Sequence, residues 1–215
     1  EDLRMDVELA DVTPETWGYI AFQWVQYIIY MRGICPMIFS EFCEFVSSVK
    51  SPALAKKYTK FIEQINEIGE ILRCTGLQGC GELLVCLGNN YNIPSEIFHL
   101  RSTMSPSAGE KDGKHSAKLL IRQMTSSMSV LDTMDSGPAV LHFFVRAPRS
   151  IQVPNCRPKK LNADKLAKKS TKLRVTVDIN EPTSTENFIW FQAASLIRPI
   201  PTLTLPEDKN TWDIQ

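Results

Sequence analysis

Residues 172–193 read KLRVTVDINEPTSTENFIWFQA. In the first half Leu173, Val175, Val177 and Ile179 alternate with Arg174, Thr176 and Asp178. A period of two puts one apolar and one polar face on a strand that is half buried. Pro182 and its polar neighbours interrupt the pattern, and NFIWFQA (187–193) resumes it as a second strand. That strand holds Phe188, Ile189, Trp190 and Phe191 in a row, near the C-terminus of the chain. Chain ends fray unless something ties them down, so an aromatic run placed here asks for a structural reason.

Working upstream, AVLHFFVRA (139–147) and ELLVCLGNN (82–90) read as further strands, the second ending in turn residues. The segments before them read as helices. Thr13-Pro14-Glu15 is a helix start, with a capping hydroxyl, Pro in the first turn and an acid near the positive end. The helix is predicted to run to about Arg32, with Gly33 just past its end. Trp17, Ala21, Trp24 and Ile28 form one stripe, and Tyr19, Phe22, Ile29 and Tyr30 cover much of the rest. A helix apolar nearly all round belongs at the centre of a fold. Pro36 to Val46 reads as a short second helix or a loop, and Ser51-Pro52 opens a long helix to about Arg73. A polar, Gly- and Ser-rich loop is predicted over 101–115, and a third long helix from Ser116 to Thr133. Three long helices with strands segregated after them predict an α+β fold, helices packed on one face of a mainly antiparallel sheet. The expected organisation is one domain over 1–215, with an N-terminal arm (1–12) and a C-terminal tail (194–215).

Composition removes several classes of function. With 24 basic and 24 acidic residues the chain is neutral, so neither nucleic acid nor an anionic membrane is an expected partner. No apolar run approaches the roughly 20 residues of a membrane-spanning helix. Residue 1 is Glu with no signal-like segment after it, which reads as a trimmed piece of an intracellular protein. The six cysteines form no CxxC pair and have no His nearby, so they read as reduced and buried rather than as zinc ligands.

Candidate chemistry is sparse. The three histidines are His99, His115 and His142, and there is no Walker-type loop, GxGxxG, HExxH or GxSxG. His115 reads as solvated in its loop and His142 as a satisfied strand residue. A Cys–His nucleophile pair stays open, because such partners meet only in space. The run CRPKKLNADKLAKKSTK (156–172) carries seven Lys or Arg and one Asp. It reads as a solvated connecting loop or as an exposed loop offered to an acidic partner, with Pro158 limiting its freedom. On the third long helix Leu120, Met124, Leu131 and Met134 share a face turned to the sheet. Ile121 and Met128 lie beside that stripe with Arg122 and Thr125, either as a wider core face or as a small patch for a partner.

Several segments together resemble the HORMA-domain family, in particular members that bind the spindle-checkpoint protein Mad-two. The segments are YIIYMR (27–32), LGNNYNIPSEIFHL (87–100), CRPKKL (156–161), KLRVTV (172–177) and the closing NFIWFQA. Their order and spacing match over almost the whole chain. The resemblance implies a HORMA fold with a C-terminal safety belt, of which Phe188, Ile189, Trp190 and Phe191 would be a tied-down strand. Part of the tail would then dock along the chain's own sheet edge, where prolines confine it to an edge position.

The function implied is that of an adaptor without catalytic residues or a cofactor of its own. It would cap closed Mad-two and present it to a hexameric AAA+ remodelling ATPase, which supplies the ATP. That work silences the spindle assembly checkpoint, in nucleus and cytoplasm and at the spindle or kinetochore. The partner-facing helix position of the family matches Ile121, where relatives can have Phe, and a position late in the first helix that can be Gln matches Met31. Both departures are apolar, so the interface would be drier. Arg157, Pro158 and Lys159 match the segment implicated in contact with the ATPase. Two other readings remain: a HORMA protein of meiosis, DNA repair or autophagy that captures a partner peptide, and a cysteine-dependent hydrolase.

Overall fold

A computed structural model of the chain describes residues 2–9, 12–79, 81–102, 113–127, 139–166, 171–180 and 187–200. Four helices occur in it: α1 (Pro14–Met31), α2 (Phe39–Ser48), α3 (Pro52–Gly76) and α4 (Gly113–Ser127). Seven strands complete it: β1 (Asp2–Val7), β2 (Glu82–Leu87), β3 (Glu96–Ser102), β4 (Leu141–Pro148), β5 (Cys156–Lys159), β6 (Leu173–Ile179) and β7 (Phe188–Ala193).

α1 starts where its capping residues put it. Thr13 Oγ1 accepts from the Thr16 amide, and Thr16 Oγ1 accepts from the Thr13 amide at 2.9 Å, so two of the helix's orphan donors are satisfied. The helix then buries Trp17, Trp24, Val25 and Ile28 completely. It crosses α3 so closely that a Cβ on Gly18 would lie 3.1 Å from the Leu72 carbonyl oxygen, and one on Gly76 3.0 Å from that of Pro14. Ala at either position would force the two helices apart.

All seven strands form one sheet, in the order β1-β6-β3-β2-β4-β7-β5. Four neighbouring pairs are antiparallel, and β6 is parallel to both β1 and β3. The fold is therefore α+β with a mostly antiparallel sheet.

Several expectations need correction. Among the described residues there are four helices where three were expected to pack on the sheet: of the two readings of 36–46 the helix holds, as α2, with Phe42 as its buried anchor. Half of the N-terminal arm, Asp2–Val7, is a strand, with Met5 and Val7 buried against the core. The expected 101–115 loop is shorter at both ends. Arg101 and Ser102 continue β3, Gly113 to His115 open α4, and 103–112 fall outside the described residues. His115 is exposed on that helix rather than in a loop.

The pleat divides the sheet into two unlike faces. Leu83, Val85, Leu87, Phe98, Leu100, Phe143, Val145, Val175 and Val177 point to the helices and join Trp17, Trp24, Phe61 and Leu72 in the main core. At one end of that face Arg32, just past α1, reaches the carboxylate of Glu96 on β3 at 2.8 Å. Their side chains are 7% and 1% exposed, so this is a charge pair taken out of water. The Arg32 guanidinium also sits 5.6 Å from the centroid of the Phe98 ring, a cation–π contact.

Candidate functional site

The helical candidates meet at the seam between α1 and α4. A Cβ on Gly113 would lie 3.3 Å from Thr16 and 3.5 Å from Tyr19, so the two helices start side by side. Three turns on, the Tyr27 hydroxyl is 3.0 Å from Thr125 Oγ1, so the helices run parallel. Thr125 spends its single proton on the Ile121 carbonyl at 2.8 Å, which makes Tyr27 the donor to Thr125. Tyr27 and Met31 are four residues apart and share a face of α1.

Ala117, Leu120 and Met124 of α4 are buried, and Leu119 packs beside them on the core. Ile121 is half-buried, Arg122 and Thr125 are exposed, and Met31 is half-buried. Met31 lies one turn beyond Tyr27 on α1 and Ile121 one turn before Thr125 on α4, so the two apolar candidates flank the Tyr27–Thr125 contact about two turns apart, whereas Met128 lies outside the described residues, as do Leu131 and Met134. Sequence reading missed Tyr27. The available signal was its spacing of four from Met31, together with a hydroxyl able to bond across helices.

The second candidate, Arg157-Pro158-Lys159, is a strand and not a loop. β5 pairs with β7 at the edge of the sheet, where a proline is tolerated because its missing N–H faces outward. Pro158 stands opposite Phe191, while Arg157 and Lys159 stand opposite Gln192 and Trp190. Lys159 Nζ lies 4.6 Å from the centre of the Tyr91 ring. Its proximity holds the Tyr91 phenol below its ordinary pKa. Cys156, at the start of the strand, has its thiol pushed up to about 12 by burial, so it stays protonated.

Of the aromatic run, Phe188 and Ile189 are half-buried, and Trp190 and Phe191 are buried. β7 is held on both sides, by β4 and by β5. Beyond it the chain crosses to the helix layer. Ser195 Oγ donates to Glu67 at 2.7 Å, and Gln64 Nε2 donates to the Leu196 carbonyl at 3.2 Å. Leu141 and Ile197 exchange backbone hydrogen bonds at 2.9 and 3.2 Å, and the Ile200 amide donates to the Ile34 carbonyl at 3.0 Å. Ile197 and Ile200 are buried, and 201–215 lie outside the described residues.

The other face of the sheet is different in kind. Its apolar part is small: Leu84, Cys86, Ile97, Phe144 and Trp190, covered by Ala163 and Leu166 of the 160–166 connection. Beside it runs a cross-strand row in register, Asp178, Arg101, Glu82, Arg146, Trp190 and Lys159. Arg101 grips Asp178 with Nε at 2.6 Å and Nη2 at 2.8 Å, and Arg4 reaches the same carboxylate at 2.7 Å. Glu82 takes Arg146 Nη1 at 2.7 Å and lies 2.9 Å from His99 Nε2. Burial alone would raise the Glu82 pKa, but the hydrogen bonds from His99 and Arg146 outweigh it and hold the carboxyl below the usual range. Of these, Glu82, His99, Arg101 and Arg146 line a cleft of about 270 Å³ together with Trp190 and residues 161–164.

His142, on the same face, has its pKa lowered by burial, partly offset by its Nε2–H donating to the Gly88 carbonyl at 3.1 Å. Of the described cysteines, Cys35 and Cys86 are buried and Cys43, Cys74 and Cys156 are half-buried; all are free thiols. Among the described residues no group of three or more His, Cys, Asp or Glu is arranged to hold a metal ion. No helix among them is long and apolar enough to cross a membrane. No protein-family model matches the chain, and comparison with curated proteins finds no match.

Proposed function

We propose that the chain is a non-enzymatic adaptor of the HORMA type, similar to the comet protein, which binds closed Mad-two and offers it to a hexameric AAA+ remodelling ATPase. The observation that carries the reading is the α1–α4 seam. There Tyr27 and Thr125 lock two parallel helices together and leave Ile121 and Met31 half-buried beside them. A folded partner that covers this seam gains apolar area at Ile121 and Met31 without having to order a flexible segment first. An interface of standard size buries about 1,600 Å² in total, with most of the energy in a few such anchors.

Two further features support it. β7 is held between two strands and residues 195–200 continue onto the helix layer, which suits a belt already fastened. Arg157 and Lys159 stand on β5, an edge strand of the sheet and not on the helices of the seam, which suits a separate contact for the ATPase.

Size-exclusion chromatography with Mad-two locked closed, and separately locked open, tests the proposal. Co-elution with the closed form alone is expected, and Met31→Asp/Ile121→Asp should abolish it while leaving the melting temperature within about 2 °C of the parent. Co-elution with neither form would instead favour capture of a partner peptide under the belt.

A further inference from the structure

α4 departs from the charge rules that the other helices keep. α1 and α2 each carry an acid in the first turn, Glu15 and Glu41, and α3 carries Arg73 in its last turn, so each places charge with its own dipole. α4 holds Lys114, Lys118 and Arg122 and no carboxylate in its 15 residues, and Lys114 stands in the first turn, at the positive end. The three cations are four residues apart, which stacks them in one row about 12 Å long. Like charges at that spacing weaken a helix rather than support it. All three are exposed. Lys114 has an interaction of its own. The neighbouring helix does not answer Lys118 and Arg122, since α1 has no acid beyond Glu15. The chain is neutral, with 24 acids, yet this helix has none. A surface helix whose local choices run against its own stability marks a place held for another purpose.

The row also borders the seam. Lys118 is three residues from Ile121, and Arg122 is three from Thr125, so each is a surface neighbour of a seam residue. Tyr27 holds Thr125 at 3.0 Å from α1. Beside the apolar pair Ile121 and Met31 the surface therefore has a cationic margin, the arrangement of an interface with an apolar centre and a charged rim.

From this placement we infer that Lys118 and Arg122 are the rim that selects a folded partner carrying an acidic helix, laid along α4 with carboxylates four residues apart, a choice of partner that rests on the seam being the docking face. Such a helix presents its carboxylates at the same rise of about 6 Å as the cations, so the two rows pair in register. Nucleic acid offers the charge without the apolar side chains that Ile121 and Met31 call for. Rim charges stay hydrated and act mainly by steering, so the row governs how fast the seam is found, and by which partner, more than how long it stays closed.

Stopped-flow association of the full chain with closed Mad-two is the test. Lys118→Glu turns two repulsive neighbours on α4 into two attractive ones, so the free chain should melt about 1 °C higher. The same change should slow association about fivefold at low salt and flatten its salt dependence, with the dissociation rate within about threefold of the parent. Adding Arg122→Glu should take the slowing past about tenfold. A rise in melting temperature with no fall in rate shows a merely solvated row and overturns the inference. If closed Mad-two does not bind the parent chain, that identity of the partner falls, and the row is read through the backbone amide shifts of Lys118 and Arg122. The probes are a helical peptide with glutamates four residues apart, its glutamine counterpart and a short duplex DNA. Saturable shifts from the glutamate peptide alone uphold the acidic helix. Equal shifts from the DNA assign the row to polyanions, concentration-dependent shifts of the free chain assign it to a second copy, and no shift leaves it solvated; each of these three overturns the inference.

Discussion

The two faces of the sheet are built from the same strands, yet they are held by opposite means. Toward the helices the strands present Leu, Val and Phe, and four helices close over them. Away from the helices the same strands present Arg, Glu, His and Asp, covered in part by one short connection. The helix face gains free energy from the area it removes from water and from dense packing. The outer face gains little net energy from each pair, because partly exposed charges are screened and desolvation offsets attraction. Most of the stability therefore resides on the helix face, with a smaller share from the Leu84, Cys86, Ile97 and Phe144 cluster on the other.

The largest expected effect breaks the helix face. Trp24→Ala, at the centre of α1 and the core, should cost about 4 kcal/mol in a denaturant melt. A loss near 1 kcal/mol would mean that the core is not where the stability lies.

Next comes the buried charge pair at the end of that face, Arg32 with Glu96. Glu96→Ala removes the buried carboxylate beside the Arg32 guanidinium and should cost about 3 kcal/mol, whereas an exposed pair such as Glu70–Arg73 should cost under about 0.5. Equal costs would erase the distinction between buried and exposed charge.

Truncation after Ala194 removes Ile197 and Ile200 from the core and unpairs Leu141 and Ile34. The expected loss is about 2 kcal/mol, after the ordering entropy of the segment is set against its burial. An unchanged melting temperature would show that the segment contributes nothing to stability.

The smallest effect concerns pH and belongs to the outer face. The folded pKa of His142 lies below its unfolded 6.5, so the unfolded chain takes up that proton first and stability declines as pH falls from about 6.5. Glu82 is also depressed in the fold, from 4.5, so its contribution is present above that pH and is lost as pH falls through the folded value. Urea midpoints at pH 7.5, 5.5 and 4 should fall in two steps, the lower one flattened in Glu82→Gln by about 1 kcal/mol. A midpoint independent of pH would remove both groups from the account.

The main elements were legible where local chemistry decides them. Thr13-Pro14 sets the start of α1 through a cap, and Leu173 to Ile179 sets β6 through its alternation. Both signals lie within a few residues. β1, β3 and β5 were not legible, because DLRMDV, EIFHLRS and CRPK lack the long apolar alternation of a central strand and become strands by pairing with β6, with β2 and β6, and with β7. The seam was half legible. Ile121 stood out beside the core stripe of its helix, but Tyr27 acquires its role from Thr125, 98 residues away. The outer-face cleft gave no motif, since Glu82, His99, Arg101 and Arg146 stand on three strands and meet only through register.

By itself, then, the sequence determined the fold class, most of the helices and which strand residues turn inward, because capping, propensity and periodicity act over distances the chain spans locally. Tertiary structure alone decided strand order, the parallel pairing of β6, the edge position of Arg157 and Lys159, and the company His99 keeps. Those depend on contacts between residues far apart in the chain, and they become determined only once the shared apolar face has been buried.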